Sequence, residues 1–361
     1  MRSPLAPKVQ TVMKRVYGTS LMAAVLLFAF NSCSRAQGSG STLENSGPSV
    51  KSAGSTVGSP GPTVGGCPVF PADNIWNTAV DNLPVDPHSN QYVASIGADK
   101  PLHPDFASAT IDGAPIGIPF VVVPAKEPKV PIHFRSFGDE EPAADESDPG
   151  PYPIPRRAPI EGGVQSQDDR HVIVVQQGNC TLYELYKAVP NPDGSWSSVS
   201  AARFDLESHA LRMDGWTSVD AAGLPIFPGL VRAEEVAAGQ IKHALRFTAP
   251  RTRNQYVWPA RHFASRSSDG ALPPLGQRFR LRADFDVSTF SPTNQIILRA
   301  LQKYGMMLAD NGSAWFLSGA PSSAWADDEL RELRKVTGAD FEAVDVSSLS
   351  ERADSGKARR R

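Results

Sequence analysis

The chain has 361 residues, of which 40% are hydrophobic and 20% charged, with a formal net charge of -2. That balance excludes a polybasic nucleic-acid binder and a chain disordered throughout. The 32 prolines and 29 glycines, against 6 methionines and 3 cysteines, favour many turns and short strands over a helical bundle.

Arg2, Lys8, Lys14 and Arg15 precede an apolar run over 21–30 that is too short to span a bilayer comfortably. Residues 1–36 therefore read as an export signal. Phe30-Asn31-Ser32-Cys33 forms an imperfect lipobox, and it competes with a small-x-small cleavage signal at Ser34-Arg35-Ala36. Expected locations are extracellular, periplasmic or lipid-anchored, with a lipid on Cys33 as the only membrane attachment. Residues 37–66 are rich in Ser, Gly, Pro and Thr, and read as a linker. A single β-rich domain is expected over 67–348, followed by a solvated basic tail over 349–361. With Cys33 removed or lipidated, Cys67 and Cys180 remain as an even pair, a disulfide candidate in an oxidising compartment.

Strands are expected over 117–123, 171–175 and 180–186. Two more alternate with period two. Ile241, His243, Leu245 and Phe247 oppose Lys242, Ala244, Arg246 and Thr248, while Phe279, Leu281, Ala283 and Phe285 oppose Arg278, Arg280, Arg282 and Asp284. The last alternation predicts a half-buried strand with a solvated arginine face. Ser291 can cap and Pro292 open a helix ended by Gly305. A type I′ hairpin through Asn311-Gly312 and a second helix over 327–336 complete the chain. Helices after a run of strands point to a mostly β fold, a β-sandwich or jelly-roll-like architecture with a few short helices toward the C-terminus.

The stretches DPGPYPIP with EGG (148–163), DRHVIVV with CTLYELY (169–186), GWTSVDAAGLPIFPGLVR (215–232), IKHALRF (241–247), YVWPARH (256–262) and ILRALQKYGMMLADNGSAWFLSGAP (297–321) carry a resemblance. They resemble a family of secreted bacterial proteins usually left as hypothetical, some of them beside carbohydrate-binding modules. The resemblance brings no reaction and no catalytic residue, so the chemistry rests on the residues themselves.

Gly178-Asn179 between two β-rich runs suits a two-residue II′ turn, a register that pairs Val175 with Leu182, Ile173 with Glu184 and His171 with Tyr186. Asp169, His171, Glu184 and Tyr186 then share one sheet face. A base, two carboxylates and a phenol on a rigid platform suit acid–base work on a sugar ring; the other reading makes them core or rim residues. His243 lies on an apolar face, either as a buried hydrogen-bonded residue or as a base beside His171. Trp258 and His262 fall on one side of their segment and Arg261 on the other, offering a surface to stack a sugar and a guanidinium to bind a uronate carboxylate. The cationic stretch 242–282 either lines a groove for an anionic polymer or forms a solvated face. No HExxH, paired CxxC, EF-hand, GxSxG, Walker A or dinucleotide motif occurs, so no metal and no cofactor is expected.

The expected function is an exported polysaccharide-acting enzyme on a cell-envelope or other glycan, an acidic one among the candidates, with no nucleic-acid partner. In a lyase, His171 or His243 takes a proton, Tyr186 gives one and Arg261 neutralises the uronate; in a glycoside hydrolase, Asp169 and Glu184 form the carboxylate pair. The alternative is a non-catalytic envelope or carbohydrate-binding protein.

Overall fold

Short runs of β-branched and aromatic residues build the framework. The computed structural model describes residues 61–359; the expected export signal, Cys33 and nearly all of the expected linker lie outside them. Within this range the chain is mostly strand with few helices, spread over several sheets. The two larger sheets are made from β1 (His103–Asp105), β2 (Phe120–Val123), β3 (Val172–Gln176), β4 (Thr181–Tyr186), β5 (Ser200–Asp205), β6 (Leu245–Ala249), β7 (Arg278–Leu281), β8 (Met306–Asn311), β9 (Phe316–Ser318) and β10 (Phe341–Val344). One sheet runs β5-β4-β3-β2, with only β3 and β2 parallel. The other runs β10-β7-β8-β6-β9-β1, with parallel pairs at β8/β6 and β9/β1.

The β3–β4 register is the expected one, Val175 opposite Leu182 and Ile173 opposite Glu184. The turn differs. The ladder ends at the Gln176–Thr181 pair, leaving a four-residue loop with Gly178 at φ 83° and Cys180 at φ 46°. Cys180 leaves the ladder because it is bonded to Cys67, as the cysteine count suggested. One face of this sheet contributes Ile173, Val175, Leu182 and Phe204 to a core shared with Phe247, Phe279 and Leu308 of the other. The opposite face contributes Val172, Val174 and Leu185 to a second core containing Tyr152 and Trp196. Burial on both faces is why the 172–175 run is uniformly apolar.

The expected hairpin through Asn311-Gly312 does not form. β8 and β9 are separated by β6, which is parallel to one and antiparallel to the other. Leu245, Phe247 and Ala249 of β6 are wholly buried, a gain that a two-stranded hairpin on its own would forgo. Gly312 crosses over the end of β6, where a side chain would meet Thr248 at 2.8 Å.

The arginine face of β7 is not solvated, nor does it line a groove. Arg278 is 1% and Arg280 8% exposed. Arg278 donates to the carbonyls of Tyr304 and Ile75, and Arg280 to those of Val80, Asp81 and Leu83 and to the Glu342 carboxylate. Buried guanidinium donors are tolerable when carbonyls satisfy them, and here they tie the 75–83 loop to the sheet.

Helix α1 (Ser89–Ile96) and helix α2 (Ala233–Ala237) had no strong sequence signal. Helix α3 (Pro292–Lys303) is as expected, with Ser291 Oγ accepting the Asn294 N–H and Gly305 at φ 65° after its end. The last expected helix divides into α4 (Asp327–Leu330) and a 3₁₀ continuation through Lys335. The described part of the tail is anchored at points, with Glu351 to Asp354 exposed between them: Ser350 bridges Ala358, which is 1% exposed, and Gly356 N–H donates to His209 O. Among the described residues, no helix is long and apolar enough to cross a membrane.

Candidate functional site

A group of charged residues gathers where the ends of β3 and β4 meet β6 and β8. Arg170 sits at φ 52°, and its buried guanidinium donates to the carbonyls of Val164, Ser166 and Ala188. Those bonds fold the 161–171 loop back on itself, which brings Glu161 beside His171. His171 Nδ1 lies 2.6 Å from Glu161 Oε2, and its Nε2 lies 3.1 Å from the Val219 carbonyl oxygen. One ligand-type atom from each of Glu161, Asp169 and His171 lies within 4.8 Å of the others. The Tyr186 ring packs 5.5 Å from that of His171 between centroids, and its hydroxyl donates to Glu140.

Asp220 and Arg246 form the floor. The Asp220 side chain is fully buried and accepts from Arg246 Nε and Nη2 at 2.8 and 3.0 Å, a two-pronged pairing. Arg246 Nη1 donates to Ser318 Oγ, and Asp310 lies 3.8 Å from Nη2. Four carboxylates (Glu161, Asp169, Asp220 and Asp310) thus face one guanidinium and one imidazole, with the Lys187 ammonium near Asp169. Glu161 and Asp310 are crowded by protein yet keep 24% and 25% of their side-chain surface open to water, and Asp169 is exposed. That combination describes a recess, not a sealed core.

Surplus negative charge in a partly desolvated place holds protons. Burial, with the Asp220 charge added to it, pushes Asp310 up to about 8. Burial and the Glu161 charge likewise raise Asp169. For His171 burial opposes a second proton, but the Glu161 and Asp169 carboxylates outweigh it and push the ring up to about 9. Burial also opposes ionisation of Glu161, yet the short hydrogen bond and charge of His171 hold it below the ordinary glutamate range.

Of the residues expected to carry chemistry, Asp169, His171 and Tyr186 come together here. Glu184 shares their face but lies deeper, fully buried, accepting the backbone N–H groups of Ile226 and Phe227 at about 3.0 Å. It ties a loop to the sheet and does not reach the recess. His243 is fully buried outside β6, with Nδ1 on the Ala244 carbonyl and Nε2 on Glu235, which also pairs with Arg232. Trp258 donates to Ser355 O, and Arg261 donates to Arg212 O and Ala353 O and pairs with Asp214. His262 Nδ1 faces Ala221 O. These hydrogen bonds hold the tail and the 213–222 loop, while Trp258 and His262 stay half-buried.

Glu161, Asp220, Arg246 and Asp310 had no local signal beyond lying in the stretches that carry the resemblance. Arg246 does fall on the polar side of its expected strand, but nothing local says that it would be buried against Asp220. Replacing Arg246 with Met is expected to destabilise the protein by about 3–5 kcal/mol, because Asp220 would be left charged and unpaired in the interior. Urea unfolding of the variant checks this, and a loss below about 1 kcal/mol would contradict the pairing. The chain matches no family model, no curated protein and no solved structure.

Proposed function

We propose that this protein is an exported glycoside hydrolase whose working site is the Glu161–Asp169–His171–Asp310 recess. The carrying observation is one solvent-reached hollow in which Asp310 retains its proton near neutrality while Glu161 stays ionised against His171. Carboxyl groups pushed apart in this way divide the roles of acid and base. Asp310 protonates the leaving oxygen, and water at the Glu161–Asp169 corner attacks the anomeric carbon. Direct attack by water gives inversion. An open cleft of about 360 Å³ lies elsewhere on the surface, lined by Thr252, Ser265, Ser267, Asp269 and Asn311, groups suited to sugar hydroxyls.

A lyase loses support because Arg261 is committed elsewhere and the recess already holds an excess of carboxylates, which disfavours a uronate. A neutral glycan fits better. Export is supported by the basic and apolar residues at 1–30 and by the Cys67–Cys180 disulfide. We read the two larger sheets, which share one core, as the layers of a β-sandwich.

Incubation with neutral and acidic polysaccharides is expected to release new reducing ends from a neutral one, inverted when first formed. Asp310→Asn is expected to lower kcat by roughly a hundred- to ten-thousand-fold. Binding without product across the panel would favour the non-catalytic carbohydrate-binding reading, and ultraviolet-absorbing unsaturated ends would favour the lyase.

A further inference from the structure

The hydrogen bonding of His171 carries an inference that needs no substrate. A neutral imidazole has one N–H and one lone pair. Here both ring nitrogens face acceptors, Nε2 the Val219 carbonyl and Nδ1 the Glu161 carboxylate. The carbonyl outside the cluster takes the Nε2 proton and so fixes the tautomer, leaving Nδ1 aimed at the Glu161 carboxylate, with Asp169 in the same group. This is the outer-shell arrangement that orients metal-binding histidines, in which the ligating nitrogen points inward and the other N–H is held by a carbonyl. With only the ring in that position, a second proton must fill the gap between Nδ1 and Glu161; a metal ion can fill it instead.

We propose that Glu161, Asp169 and His171 bind a divalent first-row metal ion of the zinc or manganese type. The three donor atoms lie within 4.8 Å of one another, and metal bonds of about 2.0–2.2 Å need only small side-chain movements from that spacing. An imidazole nitrogen with two carboxylates suits these ions better than calcium, which prefers oxygen alone. His171 is 4% exposed and rigidly held, whereas Asp169 is open to water, so the remaining coordination positions face the recess. Asp220 and Asp310 lie behind the three ligands with Arg246 as the guanidinium among them, and the added positive charge offsets their excess. An ion there would activate water in place of the Glu161–Asp169 corner and leave Asp310 its role as acid.

The test is calorimetric titration of the chelator-treated protein with Zn2+ and with Mn2+, beside Asp169→Ala and Glu161→Gln. One equivalent of at least one ion is expected to bind, with affinity at least tenfold weaker in both variants, and the bound ion is expected to raise the melting temperature of the parent more than that of either variant. Asp169 is exposed, so its variant folds even if the Glu161 variant does not. No binding of either ion, or binding that Asp169→Ala leaves unchanged, overturns the proposal. Inert polysaccharides together with one bound ion would remove the hydrolase reading and keep the metal site.

Discussion

Raising the pH from about 5 to 9 in chelator-containing buffer is expected to lower the urea midpoint continuously. Glu184, fully enclosed, is pushed up to about 7 by burial, against the pull of the Phe227 and Ile226 N–H groups. Its folded pKa lies above its unfolded value, so the folded state binds more protons between about 4.5 and 7 and loses stability as pH rises through that window. His171, pushed up to about 9, stabilises fully below about 6.5 and loses that contribution as pH climbs through 9. Each amounts to on the order of 3 kcal/mol at about 1.4 kcal/mol per pH unit. Asp310 adds to the same trend between about 4 and 8. Glu161 and Glu235, both lowered, act in the opposite sense: their contributions are present above the unfolded glutamate pKa and fade as pH falls. Maximum stability therefore lies in mildly acidic solution. Glu184→Gln is expected to flatten the pH 5–7 limb, and a parent midpoint that is level or rising from pH 5 to 9 would contradict the assignment.

Reducing the Cys67–Cys180 bond is expected to lower stability by about 4–5 kcal/mol, since the bond closes a loop with a sequence separation of 113 residues. The effect has a definite place. Thr63–Val64 pairs with Cys67–Pro68, and this small ladder is joined through Cys180 to the loop between β3 and β4. The paired variants Cys67→Ser and Cys180→Ser are expected to shift the urea midpoint equally and to expose the 61–70 segment to protease before the rest. A change below about 1 kcal/mol would show that the sheet cores alone determine where the segment docks.

The proposed export and the disulfide are linked by compartment: such bonds persist in oxidising surroundings. The acid recess relates to the same setting in another way. Asp310 and Asp169 reach water, so the site responds to the surrounding pH directly, while His171 and Glu184, both buried, respond through stability.

The sequence by itself determined the elements whose pattern is local. Alternation set the β3–β4 register and placed His171 and Tyr186 side by side; Ser291, Pro292 and Gly305 set the bounds of α3; Cys67 and Cys180, an even pair once Cys33 is set aside, named the disulfide. Each follows from neighbours a few residues apart or from counting. Tertiary structure decided what depends on distant partners. Period two marked the Arg278 and Arg280 face as polar, but carbonyls some 200 positions earlier in the chain made it interior. The insertion of β6 between β8 and β9 was invisible because a turn signal reports chain reversal and not what enters between the strands. The recess is of the same kind. Glu161 and Asp169 adjoin His171 in sequence, but Asp220, Arg246 and Asp310 arrive from three other segments. Depth, which separates sealed Glu184 from open Asp169 on one face, is a property of everything packed around the strand rather than of the strand's own residues.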